Sequence, residues 1–368
     1  MDSFTIFLAG DLMTGRGIDQ IQPHPSNPKL HESSVRDAQA YVRLAEHMNG
    51  PLPTRVPAAY IWGDALAEIN RRQPDLRVVN LETAICRADA AWPDKGVHYR
   101  MNPDNVGCLT VAGLHCCTLA NNHVMDWGGS GLLETVDALK QAGVAAPGAG
   151  SNRDAACAAA ALPLAHGKRL LVFSCASSDS GVPYAWGAMP SRAGIALLPD
   201  LGEASAQALA ARVAEQRKPG DLVMVSLHWG SNWGMAVPQD HRRFAQRLIE
   251  LGAADLIHAH SSHHPRPIEV FRGRLILYGC GDLINDYEGI ERREAFDPSL
   301  VCLYFARLSS KTGQLQQLDI VPMMLRRFQL TRPNLGARYR LQSLLEAGCK
   351  SFSTGIRPQD DGSWQLTW

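Results

Sequence analysis

The sequence predicts an α/β fold organised as one domain, and three observations carry that reading. Apolar runs of strand length recur at residues 4–9, 76–80, 115–119, 170–175 and 221–228. Between two of them, Trp62, Ala65, Leu66 and Ile69 stand at helical spacing over residues 62–72 and stop at Pro74, so strand, helix and strand follow one another. From Pro267 onward the pattern changes to strands joined by short turns, which adds sheet without crossover helices. With 368 residues and a hydrophobic fraction of 45%, the chain can fill a sizeable core, and neither repeats nor a low-complexity linker divide it.

Taken in order, strand 4–9 runs into the glycine-rich turn GDLMTGRG, residues 10–17, which carries Asp11 and Arg16. Residues 20–57, rich in proline and histidine, read as an insertion flanking that turn, with a helix around 36–48 and with His24, His31 and His47 solvated. Strand 76–80 leads into NLE; a polar loop to Tyr99, a helix over 103–111 and strand 115–119 then deliver ANNHVMDWGG. Residues 131–142 form an amphipathic helix with Gly143 as its C-cap. The alanine-rich stretch 154–166 passes through Gly167 into strand 170–175, as a hairpin would. Residues 177–199 read as loop and 202–216 as helix; strand 221–228 is fully buried because its apolar residues are nearly continuous; helix 238–251 is capped by Gly252. Strands at 268–271, 275–278, 300–308 and 315–321 complete a unit spanning 1–330, and a helix at 338–349 with a strand at 363–368 packs on the same domain.

Lys plus Arg equals Asp plus Glu, 36 each, so no net field attracts nucleic acid or an acidic membrane surface. No apolar run approaches the roughly 18 residues of a membrane helix, and residues 1–10 lack the basic segment of a signal peptide. Nine cysteines without a C-x-x-C spacing read as reduced structural thiols. The expectation is a cytoplasmic protein.

Several strand ends carry the chemistry. Four histidines fall within seven residues at His258, His260, His263 and His264, directly after an apolar run, and His260 and His263 can converge on one point. A second run, 274–278, ends in Gly279, Cys280, Gly281 and Asp282; others end in Asp11, in Asn80 and Glu82, and in His228. Ligands bind at the carboxyl ends of strands in open α/β sheets, and imidazole is the commonest ligand for Zn, Fe, Cu and Ni.

The loops GDLM (10–13), NLE (80–82), ANNHVMDWG (120–128), SLHWGSNWG (226–234) and AHSSHHP (259–265), followed by YGCGDLI (278–284), resemble those of the CapA family. That family is named for capsule or poly-γ-glutamate synthesis and is a branch of the calcineurin-like metallophosphoesterases. The resemblance runs over residues 4–285 and implies a four-layer α/β/β/α sandwich whose loops assemble a site for two divalent metal ions. It implies that Glu82 bridges the ions, that Asn122, His228 and His260 complete one shell, and that Asp11 and His263 hold the other ion. His123 matches a general acid or leaving-group stabiliser, and Arg16 and Asp126, which match recurring positions close to the site, are expected with it among the catalytic groups. Mixed nitrogen and oxygen donors suit Mn, Fe or Zn better than Ca. Two departures stand out: Met13 occupies the place of a first-loop histidine, and Ser231 and Asn232 stand where many relatives read HWGxE.

Some readings stay open at this level. Asn121, Asn122 and His123 also fit a polar turn; Trp127, Trp229 and Trp233 fit either substrate walls or packing. Asp282 fits a ligand, or, as we favour, a carboxylate that orients His260 or His263. His258 and His264 read as supporting groups or as solvent-facing. The function expected is that of a metal-dependent hydrolase acting on a peptide, amide or phosphoester substrate. A peptide epimerase, or a non-catalytic assembly protein with a vestigial site, is the alternative.

Overall fold

Alternation of side chains along the first strand explains the layering. In Ser3–Leu12, Ile6 and Leu8 point into a core shared with a second sheet, while Phe7 and Ala9 point to the opposite face. The computed structural model describes residues 3–290 and 296–368. Its first sheet has nine strands, with Ser3–Leu12 lying parallel to Leu76–Leu81 and antiparallel to Leu300–Ser309. The second has six, parallel through Arg169–Ala176, Leu222–His228, Leu256–His260 and Arg274–Leu277 and antiparallel at both edges.

Three apolar cores separate four layers. Leu8, Val172, Met224 and Leu256 meet between the sheets. Helices Gly63–Arg72 and Gly128–Gln141 press Ile69 and Leu132 onto the outside of the first sheet. Helices Glu203–Gln216 and Gln239–Glu250 press Leu209 and Phe244 onto the outside of the second. This is the expected α/β/β/α sandwich. Helix Leu335–Cys349 stands apart from the outer layers, inserting Leu341 and Leu345 into the inter-sheet core.

The differences from the sequence reading are local. The helix expected over 103–111 is interrupted, a 3-10 turn at Pro103–Asn105 preceding Gly107–Thr110, because Gly107 weakens the helix where the Asn102 cap starts it. The alanine-rich stretch is a short helix, Arg153–Cys157, and then the strand Ala160–Pro163, paired antiparallel with Arg169–Ala176 as a hairpin. Strands Gln329–Thr331 and Gly355–Pro358 had no clear sequence signal. Nor had Asp282–Ile284, which pairs parallel with Ser3–Leu12 and sets Asp11 opposite Asp282. Gly10 permits that pairing: a Cβ there would fall 1.8 Å from the Gly281 carbonyl oxygen.

Within residues 20–57, Leu30, Ala38 and Tyr41 form a small cluster of their own, and His24, His31 and His47 are exposed as expected. Among the described residues no helix is long and apolar enough to cross a membrane.

Candidate metal centre

The same alternation builds the site. Across the parallel pair Leu222–His228 and Leu256–His260, Ser226 stands opposite His258 and His228 opposite His260, on the face turned toward the first sheet. His258 belongs to the core: its Nε2 lies 2.9 Å from the Ala9 carbonyl oxygen and its Nδ1 3.1 Å from Ser226 Oγ. Ser226 Oγ also meets His260 Nε2 at 2.9 Å. That contact turns His260 Nδ1 toward His228 Nδ1, at 2.9 Å, and toward Asp11 Oδ1, at 3.5 Å. Asn122 Oδ1 lies 3.1 Å from His228 Nε2.

Two sets of donors result. Asp11, His228 and His260 each bring one donor atom within 4.8 Å of the others, and so do Asp11, His263 and Asp282. Asp11 is therefore common to both, whereas the family resemblance gave the shared position to Glu82. Glu82 lies alongside, linked through Asn80 Nδ2, which reaches Asp11 Oδ1 at 2.7 Å and Glu82 Oε2 at 3.5 Å. Asp282 is placed for both of the roles left open for it, since it belongs to the second set and its Oδ1 also meets His263 Nδ1 at 2.9 Å. The turn between the sets is strained: Ser261 has φ of 101° and donates its N–H to Asp11 Oδ2 at 3.0 Å.

The electrostatics fit bound divalent cations. Burial, reinforced by the charge of Asp282, pushes Asp11 up to about 7, and burial with Asp11 pushes Glu82 well above the usual carboxylate range. Burial holds His228 and His260 well below the ordinary histidine value, so both stay neutral. Buried carboxylates that repel one another and so favour a positive partner, beside imidazoles that stay neutral with lone pairs free, form a donor set in which a divalent ion would take the place of protons on the carboxylates. The expected ligands Asp11, Glu82, Asn122, His228, His260 and His263 would hold such ions, with Asp282 added.

His123 sits beside the donors, with Nε2 at 3.8 Å from Glu82 Oε1. Its Nδ1 is held by Asp126 Oδ2 at 2.7 Å, and Asp126 in turn accepts from the Tyr99 N–H at 2.6 Å. Sequence reasoning missed Lys95, whose Nζ lies 3.0 Å from His123 Nδ1 and donates to Asp126 Oδ1 and to the Val97 carbonyl oxygen. Burial pushes His123 down to about 4 and lowers Lys95, while His123 and Lys95 hold Asp126 low in spite of its burial. The polar-turn reading fits Asn121, whose Oδ1 accepts from the N–H groups of His123 and Val124.

Arg16, expected among the catalytic groups, is committed elsewhere. Its Nε donates to Asp286 Oδ2 at 2.8 Å and its Nη1 to Glu32 Oε1 at 3.0 Å, with the guanidinium 3.6 Å from the Tyr41 ring centroid. Through these bonds it ties the first loop to residues 20–57 and to Asp286. Trp127 and Trp229 are buried packing residues. Trp233 is half-buried at the rim, 5.3 Å from the His263 ring and stacked with His264 and Phe296. Met13 is buried and accepts a hydrogen bond from Tyr287, whose ring packs edge-on against His263.

A four-layer sandwich thus gathers carboxylate, carboxamide and imidazole groups at its strand ends. The chain belongs to the bacterial capsule synthesis protein family PGA_cap, whose family model matches residues 5–287. A probable polyglutamine synthesis accessory protein of Mycobacterium tuberculosis is 45% identical over 358 residues, covering 97% of this chain and 93% of that protein. The capsule biosynthesis protein CapA of Bacillus anthracis is 26% identical over 327 residues, covering 88% of this chain and 67% of its own. Among solved structures, a phosphatase from Mycoplasma pneumoniae aligns with TM-score 0.48 at 13% identity, over 90% of this chain and 96% of that one.

Proposed function

We propose that this protein is a metal-dependent hydrolase of peptide- or amide-linked polymers, with phosphoesters as the second substrate class. The observation that carries the reading is His123, held at Nδ1 by Asp126 and Lys95 while Nε2 faces Glu82 and the donor groups. Bound divalent ions supply Lewis acidity toward a carbonyl or phosphoryl oxygen and toward water. This chain's own residues would do the rest: Asp11, His228 and His260 would hold one ion and Asp11, His263 and Asp282 the other, with Glu82 and Asn122 available beside them. His123 Nε2 would take the proton that the attacking water gives up and pass it to the leaving group, and Asp126, accepting from Nδ1, keeps the imidazole turned to that task. The word polyglutamine in the name of the mycobacterial relative points the substrate toward an amide-linked polymer of an acidic or amidated amino acid. Nine free thiols support a reducing, cytoplasmic setting.

The word accessory in that same name favours a second reading, an assembly protein that binds polymer without cleaving it. One experiment separates them. Metal content is measured by elemental analysis, and the loaded protein is incubated with poly-γ-glutamate and with bis-p-nitrophenyl phosphate. New amino termini or released p-nitrophenolate, at about two ions per chain, supports the hydrolase. Exchange of deuterium at the α-carbon without cleavage makes it an epimerase. Polymer binding with neither reaction makes it an assembly protein.

A further inference from the structure

The outer face of the second sheet carries a cavity that the metal centre does not use. Helices Arg153–Cys157 and Glu203–Gln216, with the segment that follows the turn Tyr184–Trp186, enclose about 630 Å³, well within the range of small-molecule sites. Its floor is apolar, built from Phe173, Leu198 and Leu209 of the outer core. Two guanidinium groups, those of Arg153 and Arg212, line it as well.

Their charges are unspent. Among the described residues, neither side chain makes an ion pair or a hydrogen bond. The other charged groups of the lining are occupied: Arg192 donates to the carbonyl oxygens of Ala185 and Gly187, and Asp200 accepts from Ser205 and from the Gly202 N–H. Arg153 and Cys157 stand at the two ends of one short helix, and both line the cavity together with Arg212. At the mouth, Tyr184 and Met189 leave large apolar surfaces exposed, 70% and 46%. The segment roofing the cavity starts beside the metal centre, where the Ser177 N–H donates to the His228 carbonyl oxygen at 2.9 Å.

We infer that this cavity binds an organic carboxylate with an apolar body, its carboxylate held between Arg153 and Arg212 and its body laid on Phe173 and Leu209. Guanidinium groups match a carboxylate in a paired, planar geometry, and the apolar floor gives the remainder of the ligand a dry surface. The inference stands apart from the proposed reaction, because none of these residues touches the donor groups.

Cys157 supplies a local reporter, since it is half-buried while the other eight cysteines are buried. The full-length, metal-loaded protein is titrated calorimetrically with octanoate, 4-phenylbutyrate and octan-1-ol, and alkylation of Cys157 by iodoacetamide is followed by mass spectrometry. Saturable binding of the two acids with slowed alkylation of Cys157 is expected. Arg153→Gln with Arg212→Gln should weaken acid binding by about tenfold or more, the loss of a charge-assisted contact, with an unchanged melting temperature showing that the fold is kept. Octan-1-ol should bind correspondingly less well than octanoate. Absence of saturable binding at millimolar acid, equal binding of alcohol and acid, or acid binding that leaves Cys157 alkylation untouched would each overturn the inference.

Discussion

The two donor sets share Asp11 and little else. The set with His228 and His260 is sealed between the sheets, its imidazoles fixed by Ser226, by each other and by Asn122. The set with His263 and Asp282 lies at the rim: His263 keeps 9% of its surface exposed and packs against Trp233 and Tyr287 rather than against a second imidazole, with Met13 behind them. The first is pre-organised by a regular ladder, the second by a turn and aromatic side chains. A ligand shell built on a ladder resists exchange; one built on a turn adapts, and that is where a substrate would enter.

The comparison breaks most completely at its common member. Asp11→Asn should weaken both metal-binding steps by about 100-fold or more, which calorimetric titration with Mn or Zn would register; loss of a single step would show that Asp11 serves one ion and that Glu82 bridges. His228→Ala or His260→Ala should remove the inner ion and leave the outer one, with the fold kept because both side chains, though buried, stand at the last positions of their strands and outside the apolar clusters; unchanged stoichiometry in both variants would remove them from the shell. His123→Asn should keep both ions and lower turnover by about 100-fold to 10,000-fold, and a parallel fall in metal content would make His123 a ligand. The smallest effect is expected at the rim. Met13→His should strengthen the outer step by about tenfold, the low end of what groups around a metal shell contribute; an unaltered second step would mean that position 13 stays behind Tyr287.

What could be read from the sequence follows the same divide. The ladder-borne donors were legible, because an uninterrupted apolar strand announces its end and His228 and His260 stand there. Ser226 escaped notice: a serine inside an apolar strand carries no pattern, and its meaning comes from lying opposite His258 across the sheet. Lys95 was hidden in a polar loop, one charge among many until the loop folds it over His123. Arg16 was legible as a residue near the site but not as a tie, because its partner Asp286 is 270 positions away. The fold class was carried by periodicity, whereas Asp282–Ile284, three residues long, is a strand only because Gly10 and Gly281 let it approach the first one.

The central place of Ser3–Leu12 in its sheet has a consequence for how the molecule comes into being. Its antiparallel neighbour, Leu300–Ser309, leaves the ribosome about 15 to 60 s later at ordinary rates of synthesis, roughly 5–20 residues per second. Through that interval one edge of the earliest strand stands open, a template for wrong pairing. Asp11 meets Asp282 only near the end of it, so the donor set with His263 would be completed late in synthesis, and a chain stalled before residue 282 would lack it.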